Sequence, residues 1–407
     1  MSDGNSPRHT RGGRGGRILA RFLAYQIASW SVLGVVTRDL GWGAPVAVAV
    51  VALYTTIPLL LFVKWRGWPF YPGAAFRVFV VRAVLYSQLV LPFAAAAAVL
   101  GMLIGIPFSH SLLFGRLASG GVVGATALLL IAGYFGSRRL VLREVDASVP
   151  ELPAAFDGIR IAQISDLHVG PQTSRRFLAR VAAAVGRATP DIIAVTGDVV
   201  DDRAEDVPWY AAAFATLEAP LGVYIIPGNH DIYAGWDAVA RSLRQRTKAT
   251  ILVNDARVVE RRGARLAIVG TGDPAAGPRA IGLPNDNAAP DVDRALASVP
   301  AGTTTIAFAH NPALWPGLAR RGVSLTLSGH THWGQFALPR LGWSLASPFL
   351  EHAMGGHRAG DALLYINPGT GYWGIPFRLG AFPEITIVRL RRADEAGLSI
   401  GAAKLAA

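Results

Sequence analysis

Val223-Tyr224-Ile225-Ile226-Pro227-Gly228-Asn229-His230-Asp231 runs from an apolar, β-type stretch straight into a carboxamide, an imidazole and a carboxylate on consecutive residues. Moving outward in both directions, the same pattern recurs. Ile159 to Ile164 leads into Ser165-Asp166-Leu167-His168, and Ile192 to Thr196 leads into Gly197-Asp198. Thr304 to Phe308 is followed by His310, and Leu325 to Leu327 by Gly329-His330-Thr331-His332. Polar groups just beyond the carboxyl ends of strands are where open α/β sheets place their sites. A lone Asp after a strand is usually a cap or turn former. A whole series of such positions, holding His168, His230, His310, His330 and His332 out of nine histidines in all, reads instead as one constellation.

Between these points, apolar runs alternate with helical stretches at Arg175 to Ala188, Val207 to Leu217, Trp236 to Arg246 and Asp291 to Ser298. Further strands are expected at Leu266 to Val269, Leu363 to Ile366 and Ile385 to Leu390, which makes the region from Leu140 onward an α/β domain. Asp273 to Pro290, rich in Pro, Gly, Ala and Asn, reads as a mobile surface loop within that domain, since strands continue on both sides.

The first third of the chain is different. The 407 residues are 52% hydrophobic and only 16% charged, with a mean hydropathy of +0.36. That excess lies in four apolar runs, Phe22 to Thr37 (extendable back to Ile18), Ala44 to Val63, Ala83 to Ile106 and Leu117 to Phe135. Each is read as a membrane span, the first weakened by Gln26, Ser29 and Ser31. Residues 1–17 form a basic, Gly- and Arg-rich tail expected to be disordered. The organisation expected is therefore a tail at 1–17, a transmembrane region at 18–139 and a catalytic domain at 140–407.

The net charge of +12 belongs to the first part: residues 1–145 hold 14 Lys and Arg against 3 Asp and Glu, and the remainder is nearly balanced. No basic nucleic-acid-binding surface is expected on the catalytic half. Arg8, Arg11, Arg14 and Arg17 in the tail, Lys64, Arg66, Arg77 and Arg82 after the second span, and Arg138, Arg139 and Arg143 after the fourth all fall on one side. The opposite loops hold only Arg38 and Arg116, so both termini are expected in the cytoplasm at the inner (cell) membrane. The chain has no cysteine, which excludes disulfides, thiolate ligands and a cysteine nucleophile.

Nitrogen and oxygen donors without sulfur suit Mn, Fe or Zn better than a thiolate centre or an all-oxygen calcium site. Setting His230 and Asp231 aside, Asp166, His168, Asp198, Asn229, His310, His330 and His332 exceed one ion's needs. Two divalent ions about 3.5–4 Å apart would use them all, and would generate and aim a hydroxide at a phosphorus atom.

In order, D-x-H at Asp166, G-D at Asp198, G-N-H-D at Asn229, H at His310 and G-H-x-H at His330 resemble the calcineurin-like metallophosphoesterases over residues 140–392. That resemblance implies a four-layer αββα sandwich, with Asp166, His168 and His332 on one metal, Asn229, His310 and His330 on the other, and Asp198 bridging. It further implies that His230 steadies the transition state or protonates the leaving oxygen, with Asp231 orienting its imidazole. The Asn367-Pro368-Gly369-Thr370-Gly371-Tyr372-Trp373-Gly374 tail with Arg378-Leu379-Gly380 is similar to the bacterial membrane-associated YaeI- and YkuE-like phosphodiesterases. Trp333 departs from that branch, which usually carries Gly there. Trp333, Tyr372 and Trp373 are candidates for an apolar entrance. The resemblance together with the spans implies a membrane-anchored hydrolase acting on a phosphodiester or pyrophosphate of a lipid or lipid-linked nucleotide, UDP-2,3-diacylglucosamine being one example, at the cytoplasmic face. The alternatives are a tethered enzyme for soluble diesters and a non-catalytic binding or transport module. His9, His110, His352 and His357 stand outside the pattern.

Overall fold

The computed structural model describes residues 12–65, 70–277 and 287–406, and the chain divides into two compact units, 1–130 and 131–407. Helices α1 (Gly12–Thr37) and α2 (Gly43–Trp65) open the first unit. A short α3 (Ala74–Phe76) runs through a π turn at Arg77–Val81 into α4 (Arg82–Gly105), and α5 (Ser111–Gly136) follows. Among the described residues, four segments are long and apolar enough to cross a membrane: Leu19–Thr37, Gly43–Trp65, Ala74–Phe108 and Ser111–Gly136.

Two of the three polar residues that dilute the first span, Gln26 and Ser29, face inward, while Ser31 is exposed. Gln26 is buried, donates to Gln88 Oε1 at 2.6 Å, and accepts from Trp30 Nε1 and Thr56 Oγ1. Side-chain amides joining neighbouring helices are a recurrent glue where no water competes, so the low hydropathy of this run marks an inner face. Of the basic stretch 1–17, residues 1–11 lie outside the described residues, while Gly12–Arg17 form the first turns of α1. Once the apolar run has nucleated a helix, each added residue costs little.

The second unit begins inside α5, earlier than the boundary at 140 read from the sequence, because the end of that helix packs with the later chain. A side chain at Gly133 would collide with the Phe377 ring, and the Gly133 carbonyl accepts from Arg378 N at 2.9 Å. There follow β1 (Val141–Val149), β2 (Arg160–Ile164), α6 (Arg175–Arg187), β3 (Ile192–Thr196), α7 (Val207–Phe214) and β4 (Val223–Ile226). Next come α8 (Asn229–Tyr233), α9 (Trp236–Arg246), β5 (Thr250–Ile251), β6 (Asp255–Arg261), β7 (Ala264–Gly270) and α10 (Val292–Leu296). The chain continues through β8 (Thr305–Phe308), α11 (Trp315–Ala319), β9 (Leu325–Ser328), β10 (Ala337–Leu338) and β11 (Trp343–Ser344). It closes with β12 (Gly355–Ala359), β13 (Ala362–Ile366), β14 (Glu384–Arg392), β15 (Gly397–Ile400) and β16 (Lys404–Leu405).

One sheet has the order β15-β1-β14-β2-β3-β4-β5, with β2 to β5 parallel and β16 paired to β1. The other has the order β12-β13-β9-β8-β7-β6, parallel from β13 to β7. Ile161, Ile192 and Ile226 of the first sheet meet Ile268, Phe308, Leu327 and Tyr365 of the second in one buried core. Leu178, Val181, Tyr210, Val239 and Leu243 of α6, α7 and α9 cover the outer face of the first sheet, while Ala295 and Leu318 of α10 and α11 cover that of the second. The result is the expected four-layer αββα sandwich. The expected loop at Asp273 to Pro290 falls partly outside the described residues; at its base Asp273 N donates to Ala288 O at 2.9 Å.

Candidate metal centre

The chemistry-bearing residues sit where β2, β3, β4, β8 and β9 end, so the parallel arrangement of each sheet delivers them to one edge of the sandwich. The turns there are tight: Asp166, His168, Asp198, His330 and His332 all take left-handed backbone angles, φ between 45° and 70°. Non-glycine residues pay for that conformation, and it clusters at functional sites where the surroundings over-determine it. Here Asp166 N donates to Gly197 O at 3.0 Å, His168 N to Asp198 O at 3.1 Å and Gly329 N to His310 O at 3.1 Å, locking each turn to its neighbour. Gly228 is required by close approach, because a Cβ there would run into the Asp198 carboxylate and main chain.

Among the described residues, four overlapping groups of His and Asp side chains could hold an ion, and two of them contain only residues expected to bind metal. Asp166, His168 and His332 bring their ligand atoms within 4.8 Å of one another, and Asp166, Asp198 and His310 do the same. His168 Nε2 faces His332 Nε2 at 3.0 Å, and His332 Nε2 lies 3.3 Å from Asp166 Oδ1. On the other side Asn229 Oδ1 lies 2.7 Å from His330 Nδ1 and 3.2 Å from His310 Nε2. Asp198 Oδ2 stands between the groups, 3.6 Å from His168 Nε2 and 3.3 Å from His310 Nε2, while its Oδ1 is held by His230 N at 2.8 Å. Two imidazole nitrogens facing each other beside buried carboxylates is a poor arrangement for a dry core and a good one around a cation. The donor set therefore fits metal.

Electrostatics agree. Burial alone would raise the Asp198 carboxyl, yet His310, His168 and His230 beside it hold it well below the usual carboxylate range. Burial opposes charge on His310 and on His168, but Asp198 raises the first and Asp201 with Asp198 raises the second. Burial and His310 push His330 down to about 4, and burial and Arg378 lower His332. All seven residues expected to bind metal are thus brought together.

The pair expected to be catalytic divides. His230 lies beside the first group, its ring 4.6 Å from that of His168. The sequence gives the orienting of its imidazole to Asp231, but the structure gives that bond to Asp201, whose main-chain carbonyl meets His230 Nδ1 at 2.7 Å. Asp231 is fully buried and accepts from Gly228 N, Val200 N and Val199 N at 3.0–3.2 Å, tying the β4 turn to the β3 turn. Burial and the nearby Asp198 push its pKa up to about 7. Asp201, three residues beyond Asp198, is thus a member of this site that the sequence pattern left unassigned.

Residues 159–334 match the family model described as calcineurin-like phosphoesterase. An uncharacterized metallophosphoesterase of Helicobacter pylori is 31% identical over 275 residues, covering 66% of this chain and 70% of its own. The chain belongs to the calcineurin-like phosphoesterase family. Bacillus subtilis YkuE, an uncharacterized metallophosphoesterase, is 29% identical over 291 residues, covering 69% of this chain and 96% of its own. The Danio rerio "transmembrane protein with metallophosphoesterase domain" is 32% identical over 280 residues. That match covers 66% of this chain and 61% of the relative, so the chain spans about three fifths of that relative's length. The family it belongs to is one of metal-dependent phosphoester hydrolases.

Around its metal centre a buried cation does work that the motifs do not announce. Arg378 is fully buried and its Nη1 donates to His332 O at 3.0 Å and to Pro368 O; its Nη2 donates to His332 Nδ1 at 2.7 Å and Gly371 O at 2.6 Å. The three expected entrance aromatics separate. Trp333 is buried and donates Nε1 to Ile366 O at 2.9 Å, packing with Trp315, Ala337 and Leu364, so it lines no opening. Tyr372 is half-buried, and Trp373 is exposed with its ring 6.0 Å from His230. His352 and His357 form a separate edge-to-face cluster with Trp315, the two imidazoles 5.0 Å apart.

Proposed function

We propose that this metallophosphoesterase is anchored in the cell membrane and uses two divalent ions, of the Mn, Fe or Zn type, to hydrolyse a phosphodiester or pyrophosphate bond of a lipid or lipid-linked nucleotide at the cytoplasmic face. The observation that carries the reading is the presence in one chain, among the described residues, of overlapping His and Asp groups that could hold metal and of four helices long and apolar enough to cross a membrane. The asymmetry of Lys and Arg between the loops supports the cytoplasmic side. The parts of the chain in this reading are the tail 1–17, the membrane region 18–139 and the catalytic domain 140–407.

Asp166, His168 and His332 would hold one ion, Asn229, His310 and His330 the other, and Asp198 would serve both. When bound, such ions supply Lewis-acid polarisation and a nucleophile active at neutral pH. The chain's own residues do the rest. His230 N fixes Asp198 Oδ1, leaving Oδ2 turned to both groups. The Asp201 carbonyl accepts Nδ1–H of His230 and so keeps the proton-bearing tautomer on that side, directing Nε2 at the position from which it can serve the leaving oxygen. Trp373 beside His230 offers an apolar wall.

The test is hydrolysis by the full-length protein with Mn, comparing lipid phosphodiesters and lipid pyrophosphates such as UDP-2,3-diacylglucosamine with soluble diesters. Higher kcat/KM on the lipids is expected. A preference for the soluble set would refute the lipid reading and favour a tethered enzyme for soluble substrates.

A further inference from the structure

The stretch after His332 carries an apolar surface that the metal centre does not use. In the β10–β11 hairpin Leu338 pairs with Trp343 on one face and Ala337 with Ser344 on the other. Ala337 and Ser344 are buried, while Leu338 and Trp343 are exposed, and Leu341 at the tip is 75% exposed. The chain leaving the hairpin adds Leu345, Leu350 and Phe349, the last 81% exposed. Val258 on β6 and Ile400 on β15 are exposed apolar residues of the kind ordinary on a soluble surface. A cluster such as the one at the hairpin marks an interaction site.

Its occupant follows from what the hairpin is fastened to. Ala337 N donates to Leu379 O at 2.9 Å and Leu379 N to Gln335 O at 3.0 Å, so the hairpin's first strand lies along the segment that begins at Arg378. That segment holds the end of α5: Arg378 N donates to Gly133 O at 2.9 Å, Phe377 covers Gly133, and the Arg139 guanidinium lies 4.7 Å over the Phe382 ring. Ile131 and Phe135 on the same turns are exposed, as a lipid-facing helix requires. Arg138, its guanidinium 3.8 Å over the Tyr134 ring, and Arg139 follow the end of this helix. Arg340 adds a third positive charge on the hairpin. An apolar face that carries Arg340 and is tied through the 377–382 segment to the end of a membrane span, where Arg138 and Arg139 follow, matches the headgroup–acyl boundary of an anionic bilayer.

The hairpin also reaches the chemistry. Gln335 at its foot donates Nε2 to Trp373 O at 3.0 Å and accepts from Trp373 N at 3.1 Å, and Trp373 stands against His230. We infer that the hairpin and the turn behind it, Leu338 to Leu350, form a docking surface for the lipid bilayer. Inserted at the interface, it presents the Trp373 side of the metal centre to the bilayer, so that a lipid phosphate enters without leaving the membrane surface. This inference rests on the anchored, lipid-acting reading above and supplies its route of substrate entry.

The absence of cysteine allows a direct test on the full chain. Leu341→Cys, Phe349→Cys and, as a control on exposed β6, Glu260→Cys are each labelled with an environment-sensitive fluorophore. The labelled proteins are placed in vesicles of phosphatidylcholine and phosphatidylglycerol carrying lipids spin-labelled near the headgroup. Insertion of about 5–10 Å gives a blue shift and roughly twofold or greater excess quenching at positions 341 and 349 over position 260. Equal quenching at all three positions would overturn the docking surface. The readout needs no turnover, so its failure is separable from that of the lipid-substrate reading: quenching without lipid hydrolysis leaves the surface standing, and lipid hydrolysis without quenching removes it.

Discussion

Replacing Arg378 with Met tests whether this buried cation positions a metal ligand or only fills space. Met matches much of the aliphatic bulk, so the cavity component is small. The polar cost is larger. The carbonyls of His332, Pro368 and Gly371 lose their guanidinium donors, each loss being worth about 1–3 kcal/mol when the acceptor stays buried. Contacts sharing one side chain are not additive, so the total should be roughly 3–5 kcal/mol. His332 is affected twice, through its main chain and through Nδ1. Because a guanidinium can only donate, Nδ1 accepts, and Nε2, the atom facing His168 and Asp166, carries the ring's proton, which a bound cation would have to displace. Loss of such an outer partner lowers metal affinity by about 10–100-fold. Arg378→Lys keeps a charge but replaces a rigid fork with one point donor, and should recover part of the stability and less of the affinity. The assay is competition for Mn or Zn against a chromophoric chelator, together with metal content per chain and thermal melting in detergent. A Met variant that melts earlier yet binds two ions with unchanged affinity would refute the positioning role and leave Arg378 purely structural.

Asp198→Asn should remove at least one of two bound ions and lower kcat by more than about a hundredfold, since the ions' charge stabilisation is worth several kcal/mol; an unchanged rate would refute the bridging assignment. His230→Ala should leave metal content intact and slow hydrolysis by about 10²–10⁴-fold for substrates with poor leaving groups, with a much smaller loss on p-nitrophenyl esters, whose leaving oxygen needs no proton. Equal losses on both would argue against a general acid. Without metal, the raised pKa of His310, caused chiefly by Asp198 against its burial, contributes stability that is fully present below 6.5 and lost as pH rises through the folded-state value. Chelator-stripped protein should therefore melt progressively earlier above that pH, while metal affinity climbs over the same window as the ligand nitrogens give up protons. Melting curves and metal titrations at about pH 6 and about pH 8 on one preparation check both slopes.

The parallel strands at the centre were legible because burial on both faces leaves continuous apolar runs: Ile192–Thr196 and Val223–Ile226 coincide with the sequence reading. The sheet margins were not. Val141–Val149 carries Arg143, Glu144 and Asp146, which disguise a strand whose charges are satisfied across the pairing, Arg143 with Glu384 and Asp146 with Arg389. The candidate ligands were legible as a set because coordination would demand particular side chains at strand ends. Asp201 acts on His230 through its main-chain carbonyl, which any residue could supply, and Arg378 reaches His332 across 46 positions of chain. Neither leaves a periodic or compositional trace.

Trp333 shows how a departure from a family pattern is settled by backbone geometry. Its φ is +49°, in the left-handed region, and the next residue, Gly334, is also left-handed at +60°. Glycine takes such a conformation at no steric cost, which accounts for its use after the second histidine of the motif in the related branch. A tryptophan there must be compensated, typically for about 1–3 kcal/mol. Burial of the indole among Trp315, Ala337, Leu364 and Ile366, with Nε1 bonded to Ile366 O, offsets that cost and points the ring away from the ligands. The substitution thus pins the turn that carries His332 to the second sheet. The aromatic beside the chemistry is Trp373, and its main chain is held by Gln335, two residues beyond Trp333. One short turn therefore fixes the metal ligand on one side and the apolar approach to His230 on the other, and the hairpin that follows extends that approach toward the bilayer.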